Sequence, residues 1–305
     1  MNNFYTLVLG SAAAVPTTHR YCSSQLVYCN NRYVLIDCGE GTQMRLREYG
    51  APFQRINHIL ISHLHGDHFY GLPGLLGTMS LLGRSTGIQL YGPPALLPML
   101  KNIFQASETH LSFNFTFIPL TMNDHQLIFE DDGMMISAFP LNHRIATFGF
   151  CIEEKHQRLK INKQALIGSD LSNEHLKLLA QGRDFQRLDG TWVKHTDYTL
   201  PPLKSRRYAY CSDTKPFPKL EEYLTGSSTL YHEATFLSEK ADRAKETYHS
   251  TAADAAKLAD TLGVKRLLLG HFSSRYTTTE GHVIEAKQFF DDVSAVEDGE
   301  CYEVL

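Results

Sequence analysis

Ten residues constrain this chain more than any others. In Ile59-Leu60-Ile61-Ser62-His63-Leu64-His65-Gly66-Asp67-His68 an apolar strand runs directly into four potential metal ligands. Alternate side chains of extended backbone share a face, so His63 and His65 point the same way. Beyond the turn at Gly66, Asp67 and His68 emerge from a tighter bend and can face a second centre a few ångströms away. Imidazole with a little carboxylate suits zinc or a similar borderline cation, whereas an all-carboxylate set would suit magnesium.

Three further residues stand just beyond an apolar strand in the same way. His143 follows the run Met135 to Leu141, Asp213 follows Tyr208 to Ser212, and His271 follows Arg266 to Gly270. Each falls at a strand's carboxyl end, where layered α/β folds gather their chemistry. The seven side chains allow two metals, one on His63, His65 and His143 and the other on Asp67, His68 and His271, with Asp213 bridging. Two cations about 3.5 to 4 Å apart bring a shared water's pKa near neutrality and hold the oxygens of a phosphodiester during in-line displacement. The chemistry implied is hydrolysis.

Around these residues, short apolar runs alternate with helix-like stretches. Strands are expected at Phe4–Leu9, Gln25–Cys29, Tyr33–Asp37, His58–Ser62, Ile88–Gly92, Phe115–Leu120, Met135–Leu141, Phe148–Glu153, Tyr208–Ser212, Thr229–Glu233 and Arg266–Gly270. Helices are expected at Thr42–Tyr49, Pro94–Gln105, Thr279–Phe290 and Ala252–Leu262, the last capped by Ser250 or Thr251 and closed by Gly263. Alternation of this kind means a layered α/β or α+β fold. The stretch from Lys155 to Pro202 breaks the rhythm: it is polar, offers one helix near Asn173–Ala180, and reads as an insertion without a core of its own.

Charge sets that insertion apart. The 305-residue chain is acidic overall, with a formal charge of -4, which by itself argues against a polyanionic partner. From Lys155 to Arg207, however, eleven basic residues face five acidic ones. An acidic body with one basic segment is a candidate to grip phosphates at a single place. No apolar run approaches the roughly 18 residues that span a bilayer, and the first residues do not form a signal peptide, so a cytoplasmic location and no membrane partner are expected. The six scattered cysteines read as reduced core thiols rather than disulfides.

The His63-to-His68 motif, with His143, Asp213 and His271 at matching intervals, resembles the metallo-β-lactamase superfamily. That resemblance implies a four-layer αβ/βα sandwich with two metals at one edge, formed by a single domain over 1–305. Asp37-Cys38-Gly39-Glu40-Gly41-Thr42-Gln43, Gly71-Leu72-Pro73-Gly74-Leu75-Leu76, Tyr91-Gly92-Pro93, Ser212-Asp213-Thr214, His232-Glu233-Ala234-Thr235-Phe236, His249-Ser250-Thr251 and His271-Phe272-Ser273-Ser274-Arg275-Tyr276 narrow it. In that order they are similar to the ribonuclease Z family, endonucleases that remove the 3′ trailer from tRNA precursors.

By that resemblance the cofactors are two Zn²⁺ ions per chain, the partner is precursor tRNA, and the protein is a homodimer. Glu233 and His249 would shuttle a proton to the leaving 3′ oxygen, and Asp67 would orient or deprotonate the water. Ser273 and Arg275 are candidates to contact substrate phosphate. The insertion 155–202 stands where the family has a flexible tRNA-gripping arm, although Ile167-Gly168-Ser169-Asp170 replaces the usual Gly-Pro element at its tip. The family's Pro-x-Lys-x-Arg-Asn loop, tied to rejecting tRNAs that end in CCA, appears as Pro16-Thr17-Thr18-His19-Arg20-Tyr21, without its lysine and asparagine. Two rival functions share these residues: a phosphodiesterase acting on small diesters, and a metal-poor RNA-binding scaffold. The first has no use for a basic arm. The second has no need of seven costly ligands.

Overall fold

The computed structural model describes residues 3–121, 123–155, 159–201 and 204–305. Two seven-stranded sheets face each other. In the first, Cys301–Glu303, Phe4–Gly10, Ser24–Cys29 and Arg32–Ile36 run antiparallel, and Ile56–Leu60, Ile88–Gly92 and Phe115–Pro119 continue in parallel. The second has the same plan. Val293–Ala295, Arg266–Gly270, Thr229–Glu233 and Arg207–Cys211 are parallel, followed by antiparallel Phe148–Glu154, Met134–Pro140 and Gln126–Glu130.

Strand alternation explains why the sheets pair. In Arg32–Ile36, Val34 and Ile36 join the core shared with Ile136, Phe150 and Tyr208 of the opposite sheet, while Tyr33 and Leu35 face the outer layer with Leu46, Leu72 and Leu76. Phe4 and Val8 against Leu7 and Leu9 repeat the division. Helices Thr42–Glu48, Leu72–Leu81 and Leu96–Ala106 cover the first sheet, and Ala252–Leu262 packs on the second beside Glu280–Ala286. This is the expected four-layer sandwich. Thr251 caps Ala252–Leu262 in a reciprocal box with Asp254, and Gly263 closes the helix at φ 60°.

Some elements depart from expectation. Helix Leu72–Leu81 contains Pro73, Gly74 and Gly77, which read as breakers; Pro73 sits in the first turn, where no intrahelical bond is lost. Leu72, Leu75, Leu76 and Met79 then bury one stripe. Edge strand Gln126–Glu130 was not expected, because half of it faces solvent. Five cysteines are buried and free as expected, but Cys301 is exposed.

The insertion does have a small core. Ser172 caps helix Asn173–Ala180, the pair Phe185–Gln186 and Trp192–Val193 forms a hairpin, and Leu179, Ala180 and Val193 are buried. Phe185 stacks on His175 with ring centroids 4.3 Å apart. Residues 156–158 and the expected boundary at Pro202 lie outside the described residues. Arg206 and Arg207, counted in the basic segment, belong to the body: Arg206 pairs with Glu154 at 2.7 Å and Arg207 bonds the carbonyls of Thr225 and Tyr223.

His58 gives the fold an acid sensitivity. It is buried in the first sheet, its ring 4.3 Å from that of Phe129, and burial pushes its pKa down from 6.5 to about 4. Between those values the unfolded chain binds a proton that the folded chain refuses, so stability falls as pH drops through the window. This ring alone should cost roughly 2 kcal/mol between pH 7 and 5. Urea unfolding at the two pH values should show His58→Phe losing that much less than the parent; parallel losses would assign the acid sensitivity elsewhere.

Candidate metal centre

The two parallel half-sheets end at one edge, and all seven expected ligands meet there. His63 follows strand Ile56–Leu60; His65, Asp67 and His68 follow in the loop and the short helix Gly66–Phe69. His143 comes from the turn after Met134–Pro140, Asp213 from the end of Arg207–Cys211, and His271 from the end of Arg266–Gly270. His63, His68, Asp213 and His271 are buried, and His65, Asp67 and His143 are half-buried.

The donor atoms fall into two groups. In one, His63 Nε2 lies 3.0 Å from His65 Nδ1, and His65 Nδ1 lies 3.4 Å from His143 Nε2. Asp213 Oδ2 faces this group, 3.6 Å from His63 Nε2 and 3.9 Å from His143 Nε2. In the other, His68 Nε2 lies 3.3 Å from His271 Nε2 and 3.3 Å from Asp67 Oδ2, and His271 Nε2 lies 3.5 Å from Asp67 Oδ2. Asp213 Oδ1 completes it, at 3.1 Å from His271 and 3.4 Å from His68.

These separations fit a metal. Donors at about 2.0 to 2.1 Å around a tetrahedral zinc stand about 3.3 Å from one another. Asp213 Oδ1 is buried and has no hydrogen-bond partner among the described residues, an arrangement that is costly unless a cation takes its lone pairs. The site is therefore a metal-binding site. Burial pushes the Asp213 carboxyl up, but His271, His68 and His63 together hold it well below the usual carboxylate range.

A ring of partners aims the imidazoles. His68 Nδ1 donates to Asp37 Oδ2 at 2.8 Å, His63 Nδ1 to Ser62 Oγ at 3.0 Å, His143 Nδ1 to the Tyr248 carbonyl at 3.0 Å and His271 Nδ1 to Thr235 Oγ1 at 2.9 Å. Each bond leaves the Nε2 lone pair facing inward. Asp37 also accepts from Ser62 N at 2.7 Å, Ser62 Oγ at 2.9 Å and Tyr210 Oη at 2.9 Å, and these bonds hold its backbone at φ 57°. The next turn packs tightly, since a Cβ on Gly39 would stand 2.3 Å from the Asp67 carbonyl oxygen. Asp37, Ser62, Thr235 and Tyr210 were not among the expected site residues. Asp37 was signalled by the motif it opens and by the polar break after an apolar strand, and Ser62 by such a break alone.

Glu233 and His249 lie together beside the metal ligands. His249 Nδ1 is 2.8 Å from Glu233 Oε1, which also accepts from Thr214 N at 3.0 Å; Oε2 takes Thr235 N at 3.0 Å and Thr235 Oγ1 at 2.7 Å. Burial lowers the His249 pKa, but the Glu233 carboxylate outweighs it and raises the ring to about 9. The Glu233 carboxylate thus favours the protonated imidazole. Its ring lies 5.2 Å from that of His143 and 5.5 Å from that of His271.

A cavity of about 590 Å³ opens over these groups, lined by Asp67, Asp213, His249 and His271 and rimmed by Arg144, Arg243 and Arg275. Arg275 reaches it by stacking on Phe236 at 4.8 Å, and Ser273 Oγ accepts its Nε at 2.9 Å. Arg20 is turned away. It bonds Ser11 at 2.7 Å, the Val296 carbonyl at 2.6 Å and Glu297 at 2.6 Å.

A ribonuclease Z of Porphyromonas gingivalis strain W83 is 39% identical to this chain over 290 residues, which is 95% of either protein. The chain belongs to the ribonuclease Z family. Residues 4–188, more than half of its length, also match the family described as Anti-Pycsar protein Apyc1, and over that stretch it belongs there too. That match stops before Asp213, Glu233, His249 and His271. The short form of human tRNase Z covers 99% of both chains with a TM-score of 0.73 and 27% identity. YhfI of Bacillus subtilis, a metallo-β-lactamase fold protein, covers 99% of this chain and all of its own, at a TM-score of 0.70 and 17% identity. The metallo-β-lactamase fold of this ribonuclease Z family member is thereby shown.

Proposed function

We propose that the protein is a two-zinc endoribonuclease that cuts tRNA precursors 3′ of the discriminator nucleotide, leaving a tRNA 3′-hydroxyl and a trailer with a 5′-phosphate. The observation that supports it most is the division of Asp213, whose two oxygens face two separate donor groups, beside the Glu233–His249 pair. His63, His65 and His143 would hold one cation and Asp67, His68 and His271 the other, and the pair would supply Lewis acidity that lowers a water's pKa and takes up phosphoryl charge. Asp67, whose Oδ2 takes the Ala14 N–H at 2.8 Å, would orient or deprotonate the attacking water. As the new O–P bond forms and the bond to the 3′ oxygen breaks, His249 gives its proton to that oxygen. Glu233 holds the imidazole in place and stabilises its charge. The homodimer and the cytoplasmic location belong to the same reading.

Incubating metal-loaded protein with a 3′-extended tRNA precursor and mapping both product ends tests this. A single cut after the discriminator, with the phosphate on the trailer, is expected. Hydrolysis of small diesters without that cut would favour the phosphodiesterase alternative, and no hydrolysis at all would favour the scaffold.

The insertion is the arm that grips the tRNA. Among the described residues, Lys160, Lys163, Lys177, Arg183 and Lys194 make no ion pair, so their charge is free for phosphates. Reversing the charge at Lys160, Lys163 and Lys177 should raise KM for the precursor and reduce the salt slope of binding by about 0.9 for each duplex phosphate no longer neutralised. Hydrolysis of a small aryl phosphodiester should persist. An unchanged salt slope would remove the arm from the binding surface.

A further inference from the structure

Tyr70 lies at the mouth of the catalytic cavity and has no part in the chemistry above. Its side chain is 66% exposed and lines the cavity over the buried polar site. The hydroxyl has no hydrogen-bond partner among the described residues, so a polar anchor does not account for the ring being there. Packing fixes it instead. The Phe69 ring meets it edge-on with centroids 4.9 Å apart. Its other support is the backbone of Gly66, where a Cβ would stand 2.2 Å from Tyr70 Cε2. Only glycine between His65 and Asp67 lets the ring lie against the segment that supplies both.

The result is a flat, wet aromatic surface tied directly to the metal-ligand loop and lining the cavity. Another wall of that cavity offers a second planar group, the Arg275 guanidinium stacked on Phe236. Planar groups on cavity walls above a phosphodiester centre suit unstacked bases, which every nucleotide offers through its π-face. A phosphodiester without bases would leave the Tyr70 surface in water.

We infer that Tyr70 is a stacking platform for a nucleobase immediately flanking the scissile phosphate. The inference rests on the proposed nuclease reading and names one of its substrate contacts. Stacking of this kind tolerates any base, so Tyr70 fixes the path of a single-stranded 3′ end without selecting its sequence.

The test is a chemical double-mutant cycle. Parent, Tyr70→Ala, Tyr70→Phe and Tyr70→Trp are compared on the intact precursor and on two precursors with one abasic sugar, placed on either side of the cleavage point. Tyr70→Ala should raise KM on the intact precursor roughly ten- to a hundredfold, with kcat much less affected. The phenylalanine and tryptophan variants should stay near the parent. On one of the two abasic precursors the alanine penalty should vanish, because the base that would stack on the ring is already gone. Equal penalties on all three substrates, or none on the intact one, would overturn the inference. Should the alanine variant prove unstable, a tryptophan variant that gains affinity only where the flanking base is present decides the same question. If the parent fails to cleave the precursor, the tRNA reading falls, and the same series on a single-stranded oligoribonucleotide still tests the platform.

Discussion

Asp213→Ala is expected to be the most damaging single substitution in the protein. Its two oxygens face donor groups on opposite sides, so removing the carboxylate takes a ligand from both at once. It also leaves six ligands, five of them imidazoles, with Asp67 as the remaining negative charge among them. If the proposed two-metal reading holds, metal analysis after saturation should fall from two ions per chain to at most one. Activity on a tRNA precursor should drop at least about a thousandfold, since the Lewis acidity removed is worth several kcal/mol. Asp213→Asn separates charge from geometry, because it keeps one oxygen and loses the anion; an intermediate metal content is expected. Two tightly held ions in Asp213→Ala with near-parental turnover would show that the bridge is misassigned.

How much of this was legible in the sequence depends on how local the cause was. Strands such as Arg32–Ile36 were readable because each alternates between two apolar environments, and the residues themselves carry that period. Helix Leu72–Leu81 was not, because Pro73 is tolerated only in the first turn, and Gly74 and Gly77 weaken the helical signal although no close contact there demands a glycine. Strand Gln126–Glu130 pairs along one edge, and its polar face hides the period. In the site, the ligands announced themselves by standing just past apolar strands. The role of Asp37 was not legible. It comes from Ser62, His68 and Tyr210, which lie 25, 31 and 173 residues away and meet it only once both sheets have formed. The insertion looked coreless because its buried residues, Leu179, Ala180 and Val193, are few and scattered.

Glu233→Ala and His249→Ala should separate catalysis from assembly. On the proposed reading the leaving 3′ oxygen departs as a poor alkoxide unless it is protonated, and His249, held by Glu233 at 2.8 Å, is the group that protonates it. Loss of a general acid costs about 10²- to 10⁴-fold, so each variant should lose at least about a hundredfold in turnover on a tRNA precursor. Metal content should stay near that of the parent, because all seven assigned ligands remain, although a His249 nitrogen also lies within 4.8 Å of Asp213 and His271 donors. The penalty should depend on the leaving group. A small aryl phosphodiester expels a phenolate, whose conjugate acid has a pKa near about 10, and needs far less help than a sugar alkoxide. His249→Ala should therefore be much closer to the parent on the aryl diester than on RNA. Glu233→Ala should behave similarly, with an additional loss if His271 shifts, since Thr235 Oγ1 ties Glu233 to His271 Nδ1. Equal penalties on both substrates, accompanied by metal loss, would make the pair a support for the metal ligands and would require a different proton donor.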